Sequence, residues 1–223
     1  LAIVTLGLCR VASADFTVYD HFDSADVDTS LWTVDADSTV SQSGSILTIG
    51  NLSGNSVWSN MASTAQYDAS AANSYEFKYI GSTGDANPYF GLIGTAGHNI
   101  FFRPPATNQW KFGINGVAAS GTLTAPVAQH PYDFVRTANT WQLWDAGSPG
   151  LGYTDRNLLY ETAPGEVVFS PGEKVSLWMA IRPMSGSLSL GFVAVDAVPE
   201  PSVVVLLGSG VLGLLAYAWR KRK

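Results

Sequence analysis

Cysteine is almost missing from this 223-residue chain, with Cys9 as the single example. Past residue 14 there is none, so the body of the protein uses no disulfide and no thiolate. The three histidines, His21, His98 and His130, stand far apart and show no metal-ligand spacing such as His-Glu-x-x-His. There is no Gly-x-Ser-x-Gly elbow and no Walker loop. Basic residues are scarce: from Asp15 to Val198 there are seven against seventeen acidic ones, a formal charge of −10. Phosphate backbones require a cationic footprint, so this balance excludes nucleic acid as a partner. It is also an ordinary way to keep an exported protein in solution. The body contains no sustained helical period, no internal repeat and no long Ser/Gly/Pro linker.

What the chain does have is one long apolar run at its C-terminal end. Ser202 to Trp219 is 18 residues without a charge. As a helix it would extend about 27 Å, close to the thickness of a bilayer's hydrocarbon core. Pro199 and Pro201 set its start, because proline is not accommodated inside a helix. Arg220, Lys221, Arg222 and Lys223 form a basic stop that stays cytoplasmic by the positive-inside tendency. A transmembrane helix is therefore predicted over 202–219, with the preceding residues on the far side of the membrane.

The order of these parts resembles the PEP-CTERM protein-sorting signal of Gram-negative bacteria. The motif is Pro199, Glu200 and Pro201, followed by the apolar span and the basic tail. The resemblance implies recognition and cleavage near the motif by the membrane transpeptidase exosortase. The precursor would be held in the inner membrane and then passed to the cell surface or the exopolysaccharide matrix. A plain anchor has no reason to carry Pro-Glu-Pro at its outer edge. Such a tail supplies an address and not an activity.

The N-terminal end agrees with export. Leu1 to Leu8 is apolar, and Ala12-Ser13-Ala14 forms a small-x-small cleavage site. Residues 1–14 read as a truncated signal peptide that carries Cys9 away, 15–197 as one β domain, and 198–223 as the sorting tail.

The β reading rests on alternation and turn signals. Ser74 to Ile80 places Tyr75, Phe77 and Tyr79 on one face, with Glu76 and Lys78 on the other. Gly81 to Asn87 reads as a loop. Strands are expected at Ile46–Ile49, Tyr89–Ile93, Asn99–Arg103, Gln109–Ile114, Tyr132–Arg136, Thr140–Trp144, Glu166–Phe169, Val175–Ile181 and Ser187–Val195. Asn115-Gly116 marks a tight hairpin. Short strands at this spacing make an all-β antiparallel sandwich or jelly roll, followed by the one C-terminal helix. The pairing of Phe22-Asp23 and Leu31-Trp32 with Gly44-Ser45-Ile46-Leu47-Thr48-Ile49 resembles concanavalin A-like lectin/glucanase sandwiches. So does the hairpin that carries Arg136 and Trp141-Gln142-Leu143-Trp144-Asp145.

Glucanases of that fold carry Glu-x-Asp-x-(x)-Glu on one strand, where same-face carboxylates supply nucleophile and acid. No such motif occurs here: after Glu76 and Phe77 the next same-face position is Lys78. The expectation is a non-catalytic surface or matrix protein with affinity for exopolysaccharide. The alternatives are a polysaccharide-active enzyme with unfamiliar catalytic residues, and a purely structural coat. Trp144 beside Gln142 is the leading candidate for stacking on a sugar ring, with Trp58, Tyr89 and Trp110 as further candidates; each competes with core packing. Asp23, Asp26, Asp28 and Asp196 are candidate calcium ligands if the terminal strands are neighbours, weighed against solvated turn carboxylates. No other cofactor is implied.

Overall fold

The computed structural model describes residues 17–51, 58–71, 73–84, 88–103, 111–115, 117–120, 129–147, 156–181 and 186–196. These form two antiparallel sheets of eight strands each, packed face to face. The first sheet runs β14 (Asn157–Glu161), β13 (Trp141–Asp145), β12 (Pro131–Arg136), β7 (Ser74–Gly84), β16 (Gly186–Asp196), β4 (Ile46–Asn51), β3 (Ser38–Ser43). In this sheet β1 (Thr17–Asp20) also pairs with β16. The second sheet runs β11 (Val117–Ser120), β10 (Lys111–Ile114), β9 (Asn99–Arg103), β8 (Pro88–Gly94), β15 (Lys174–Ile181), β5 (Ser59–Ser63), β2 (Trp32–Val34). Here β6 (Tyr67–Asp68) adds to β15.

Period-two alternation decides which side chains meet between the sheets. Tyr75, Phe77 and Tyr79 point inward from β7, as the sequence requires, and meet Phe90, Leu92, Ile100 and Phe102 from the second sheet. Phe77 sits 5.4 Å from Phe90 and 5.7 Å from Phe134, ring centre to ring centre. Trp32 closes one end, its indole N–H donating to Asp20 Oδ2 at 2.7 Å. Asn115, at φ 49°, makes the two-residue turn that sets Ile114 opposite Val117.

Two expectations are corrected. The loop predicted at 81–87 is strand as far as Gly84, because Gly81 to Gly84 pair with Gly186 to Ser189 of β16. Glu166–Phe169 is not a strand; Val168 and Phe169 are buried, but they lie in the loop between β14 and β15. The strand of that region is β14, at the edge of the first sheet, whose run Asn-Leu-Leu-Tyr-Glu carries no period-two alternation to read. The predicted helix over 202–219, the tail motif, the basic stop and the N-terminal 1–14 segment lie outside the described residues; no helix among the described residues is long and apolar enough to cross a membrane.

Candidate functional site

The inward residues are consumed by the core, and among the described residues the outer faces of the two sheets carry the candidate groups. These faces differ sharply.

On the first sheet, register puts Ala194, Glu76, Asp133 and Trp144 in one row across β16, β7, β12 and β13. Glu76 and Asp133 are only 4% and 3% exposed. Burial and the neighbouring Asp133 charge push the Glu76 carboxyl up to about 8. Burial also raises Asp133, against the pull of Arg156, whose Nη2 donates to Asp133 Oδ2 at 3.0 Å. Two carboxyls this close do not both ionise, so the pair keeps a proton at neutral pH. The Arg156 guanidinium also covers Trp144, 4.5 Å from the ring centre. Trp144 Nε1 donates to Gln142 Oε1 at 2.9 Å, and Gln142 Nε2 donates to Glu161 Oε1 at 2.8 Å. The sequence was right that Trp144 and Gln142 share an outward face. Arg156 lies over the Trp144 ring and Gln142 accepts from its indole N–H.

On the second sheet the outer face is aromatic. Phe101 on β9, Trp178 on β15 and Tyr89 on β8 point away from the core. One row reads Gly113, Phe101, Gly91, Trp178, Ala62 across five strands, alternating small and large. The alternation is required by size. A Cβ at Gly113 would lie 2.1 Å from Cζ of Phe101, so the phenyl ring lies across the glycine. Tyr89 packs edge-on to Phe101 at 4.8 Å and meets Trp58 at 5.0 Å. Trp58 is 38% exposed, one of the most exposed large apolar side chains described. Polar groups rim the patch. Trp178 Nε1 donates to Asn60 Oδ1 at 3.2 Å, Asn60 Nδ2 donates to Asp35 Oδ2 at 2.8 Å, and the Arg103 guanidinium stands 5.8 Å from the Tyr89 ring centre. Phe101 and Tyr89 are only 5% and 9% exposed and act as support, so Trp58 and the half-buried Trp178 are the rings within reach of a ligand, edged by amide, carboxylate and guanidinium groups.

Of the sequence-derived candidates, Trp58 belongs to this patch, Trp144 and Gln142 lie on the opposite face, and Trp110 lies outside the described residues. Tyr89 was also a sequence-derived candidate and belongs to this patch, whereas Phe101 and Trp178 were missed. Their common face depends on pairings between distant strands, which no local pattern reveals.

The four candidate calcium ligands do not converge. The terminal strands are indeed neighbours, with Thr17 opposite Val195 and Asp20 opposite Val193. That antiparallel register sends Asp196 to one end and the 23–28 segment to the other. Asp28 Oδ1 instead accepts from Ser30 N at 2.8 Å and Ser30 Oγ at 2.6 Å, a turn role. Among the described residues no group of three His, Cys, Asp or Glu side chains is placed to hold a metal ion. Nor does any described strand carry two carboxylates at Glu-x-Asp spacing; the outer face of β9 presents Asn99, Phe101 and Arg103.

No protein of curated function matches the sequence. Solved structures similar in fold include a laminarinase from Flavobacterium sp. UMI-01, with TM-score 0.58, 9% identity, and coverage of 79% of this chain and 97% of that one. A β-1,3-1,4-glucanase (lichenase) from a mouse hindgut metagenome gives TM-score 0.54, 12% identity, and coverage of 79% and 97%. The family GH16 endo-β-1,3(4)-glucanase SCLam gives TM-score 0.59, 10% identity, and coverage of 82% and 91%. The body thus has the glucanase-type concanavalin A-like sandwich, and residues 197–223 match the PEP-CTERM protein-sorting motif, which implies export, sorting through the membrane to the cell surface, and exosortase as the processing partner.

Proposed function

We propose that this is a surface or matrix protein of a Gram-negative bacterium that holds neutral glycan without cleaving it. Its tail anchors the precursor in the inner membrane until exosortase cuts near Pro-Glu-Pro, and the sandwich then meets exopolysaccharide through the outer face of the second sheet. The observation that carries the binding role is the exposed Trp58 set against Tyr89, Phe101 and Trp178, rimmed by Asn60 and Arg103.

The test is titration of the full chain, in detergent, with laminarin. Trp58→Ala and Trp178→Ala should each weaken binding about tenfold, the equivalent of about 1.4 kcal/mol. Trp144→Ala should leave it unchanged, and no reducing ends should appear. Equal affinity in all four proteins would remove the aromatic face from the site.

A second reading, glycan cleavage, draws support from the Glu76 and Asp133 pair, in which one carboxyl is held protonated beside another that ionises more readily. It predicts release of reducing ends that Glu76→Gln abolishes. The burial of both groups argues against it, because a general acid must touch the glycosidic oxygen.

A further inference from the structure

The outer face of the second sheet changes character toward β10. Strands β8, β9 and β10 carry only two charged residues, Arg103 and Lys111, and both are cations. Register sets them directly opposite one another. Opposed residues share a face and lie about 4.5–5.5 Å apart at Cα. That face is the outer one, because their chain neighbours Phe102 and Phe112 are buried in the core. Arg103 stands 5.8 Å from the Tyr89 ring centre, and Tyr89 in turn meets Trp58 at 5.0 Å and Trp178 at 6.4 Å. The cationic pair therefore extends the aromatic patch across β9 and β10.

Neither cation takes part in an ion pair among the described residues, whereas Arg156 is paired with Asp133 and Lys174 with Asp68. The chain that joins β9 to β10 offers no partner either, since 104–110 contains no acidic residue. Like charges directly opposed across a ladder are destabilising. Acidic residues outnumber basic ones across the body, so the pairing does not follow from composition. Nor is Lys111 a guard against edge-to-edge pairing, because β11 lies outside β10. Both side chains are only half-buried, which leaves them within reach of a ligand on this face.

We propose that the glycan on the aromatic face continues into an acidic sugar, whose carboxylate or sulfate ester accepts from the Arg103 guanidinium and the Lys111 ammonium. Arg103 supplies a planar fork and Lys111 a point charge, which together neutralise one anionic group. The neutral rings stay on Trp58 and Trp178. The assignment rests on the glycan reading above and names the class of polymer: one in which neutral units are followed by acidic ones.

The test is calorimetric titration of the full chain, in detergent, with laminarin, sulfated laminarin, a glucuronate-containing oligosaccharide and the methyl ester of that oligosaccharide. At least one anionic ligand should bind about tenfold tighter than its neutral counterpart, and which one does so identifies the anion. The preference should fade in about 0.5 M salt, because attraction between exposed charges is screened. Arg103→Gln and Lys111→Gln should each reduce it, and the double variant should erase it. Trp58→Ala should weaken all four ligands and keep the ratios. If the wild type binds each anionic ligand no tighter than its neutral counterpart, the proposal is overturned, and Trp58-dependent laminarin binding would then leave the aromatic-face reading intact. A preference that survives the double variant also overturns it. Failure of laminarin to bind, with a preference that still depends on Arg103 and Lys111, would sink the stacking on Trp58 and uphold the cationic site.

Discussion

Glu76 on β7 and Asp133 on β12 stand directly opposite one another, buried, and hold one proton between them at neutral pH. Their arrangement makes folding stability depend on pH in a definite direction. The folded Glu76 keeps its proton up to about 8, whereas the unfolded chain loses it near the ordinary glutamate value of 4.5. Between those limits the native state binds more protons, so stability falls as pH rises and levels off above about 8. Glu76→Gln removes this slope. In urea unfolding the variant should gain on the wild type by about 4 kcal/mol between pH 5 and pH 8.5. Parallel profiles would show that the pair does not share a proton.

Glu173 predicts the opposite sign at acid pH. Burial pushes its carboxyl upward, but hydrogen bonds from His98, Ser170 N and Ala96 N outweigh that and hold it below the usual range. Ser170 N and Ala96 N donate at 2.8 and 3.0 Å, and His98 Nδ1 lies 2.7 Å away. A lowered carboxylate contributes stability above its unfolded pKa and loses it as pH falls. Glu173→Ala should cost about 2–4 kcal/mol at pH 7, because two backbone donors lose their acceptor, and less at pH 3. A constant penalty across that range would rule out the carboxylate as the cause.

Gly113 tests the aromatic face through its backbone. Gly113→Ala would drive a methyl group into the Phe101 ring. The expected cost is about 1–3 kcal/mol in urea unfolding, as for other overpacked sites. Because Phe101 supports Tyr89 and Trp178, laminarin affinity should fall with it. Wild-type affinity in a destabilised Gly113→Ala would mean that the ring takes no part in binding.

The tail is tested in cells with and without exosortase. The wild type should lose its C-terminal segment only when the enzyme is present, and the Pro199→Ala/Pro201→Ala double variant should keep it in both. Fractionation followed by mass measurement reads the outcome, and identical processing in all four combinations would sink the sorting assignment.

The fold was legible wherever local alternation was strong. Tyr75, Phe77 and Tyr79 read as one buried face and are one. Asn115 beside Gly116 read as a hairpin, and β10 and β11 pair across it. Legibility ended where structure depends on distant partners. Gly81 to Gly84 lacks strand propensity and is held extended by β16, more than a hundred residues later. Phe101 and Phe102 are adjacent and equally apolar, and only the sheet decides that Phe102 enters the core while Phe101 faces outward. The opposition of Glu76 and Asp133 arises the same way, from strands that meet only in the folded sheet.

The last strand before the tail, β16, lies between β7 and β4 and also carries β1 along part of its length. It is the keystone of its sheet and the final part of the body to emerge during synthesis and export. The first sheet therefore stays divided into unjoined halves until residues 186–190 have cleared the translocation channel. Trimming the chain before Gly186 would leave β7 and β4 with bare edges. A cut at Pro199 to Pro201, just beyond it, releases a body whose closing strand is already seated.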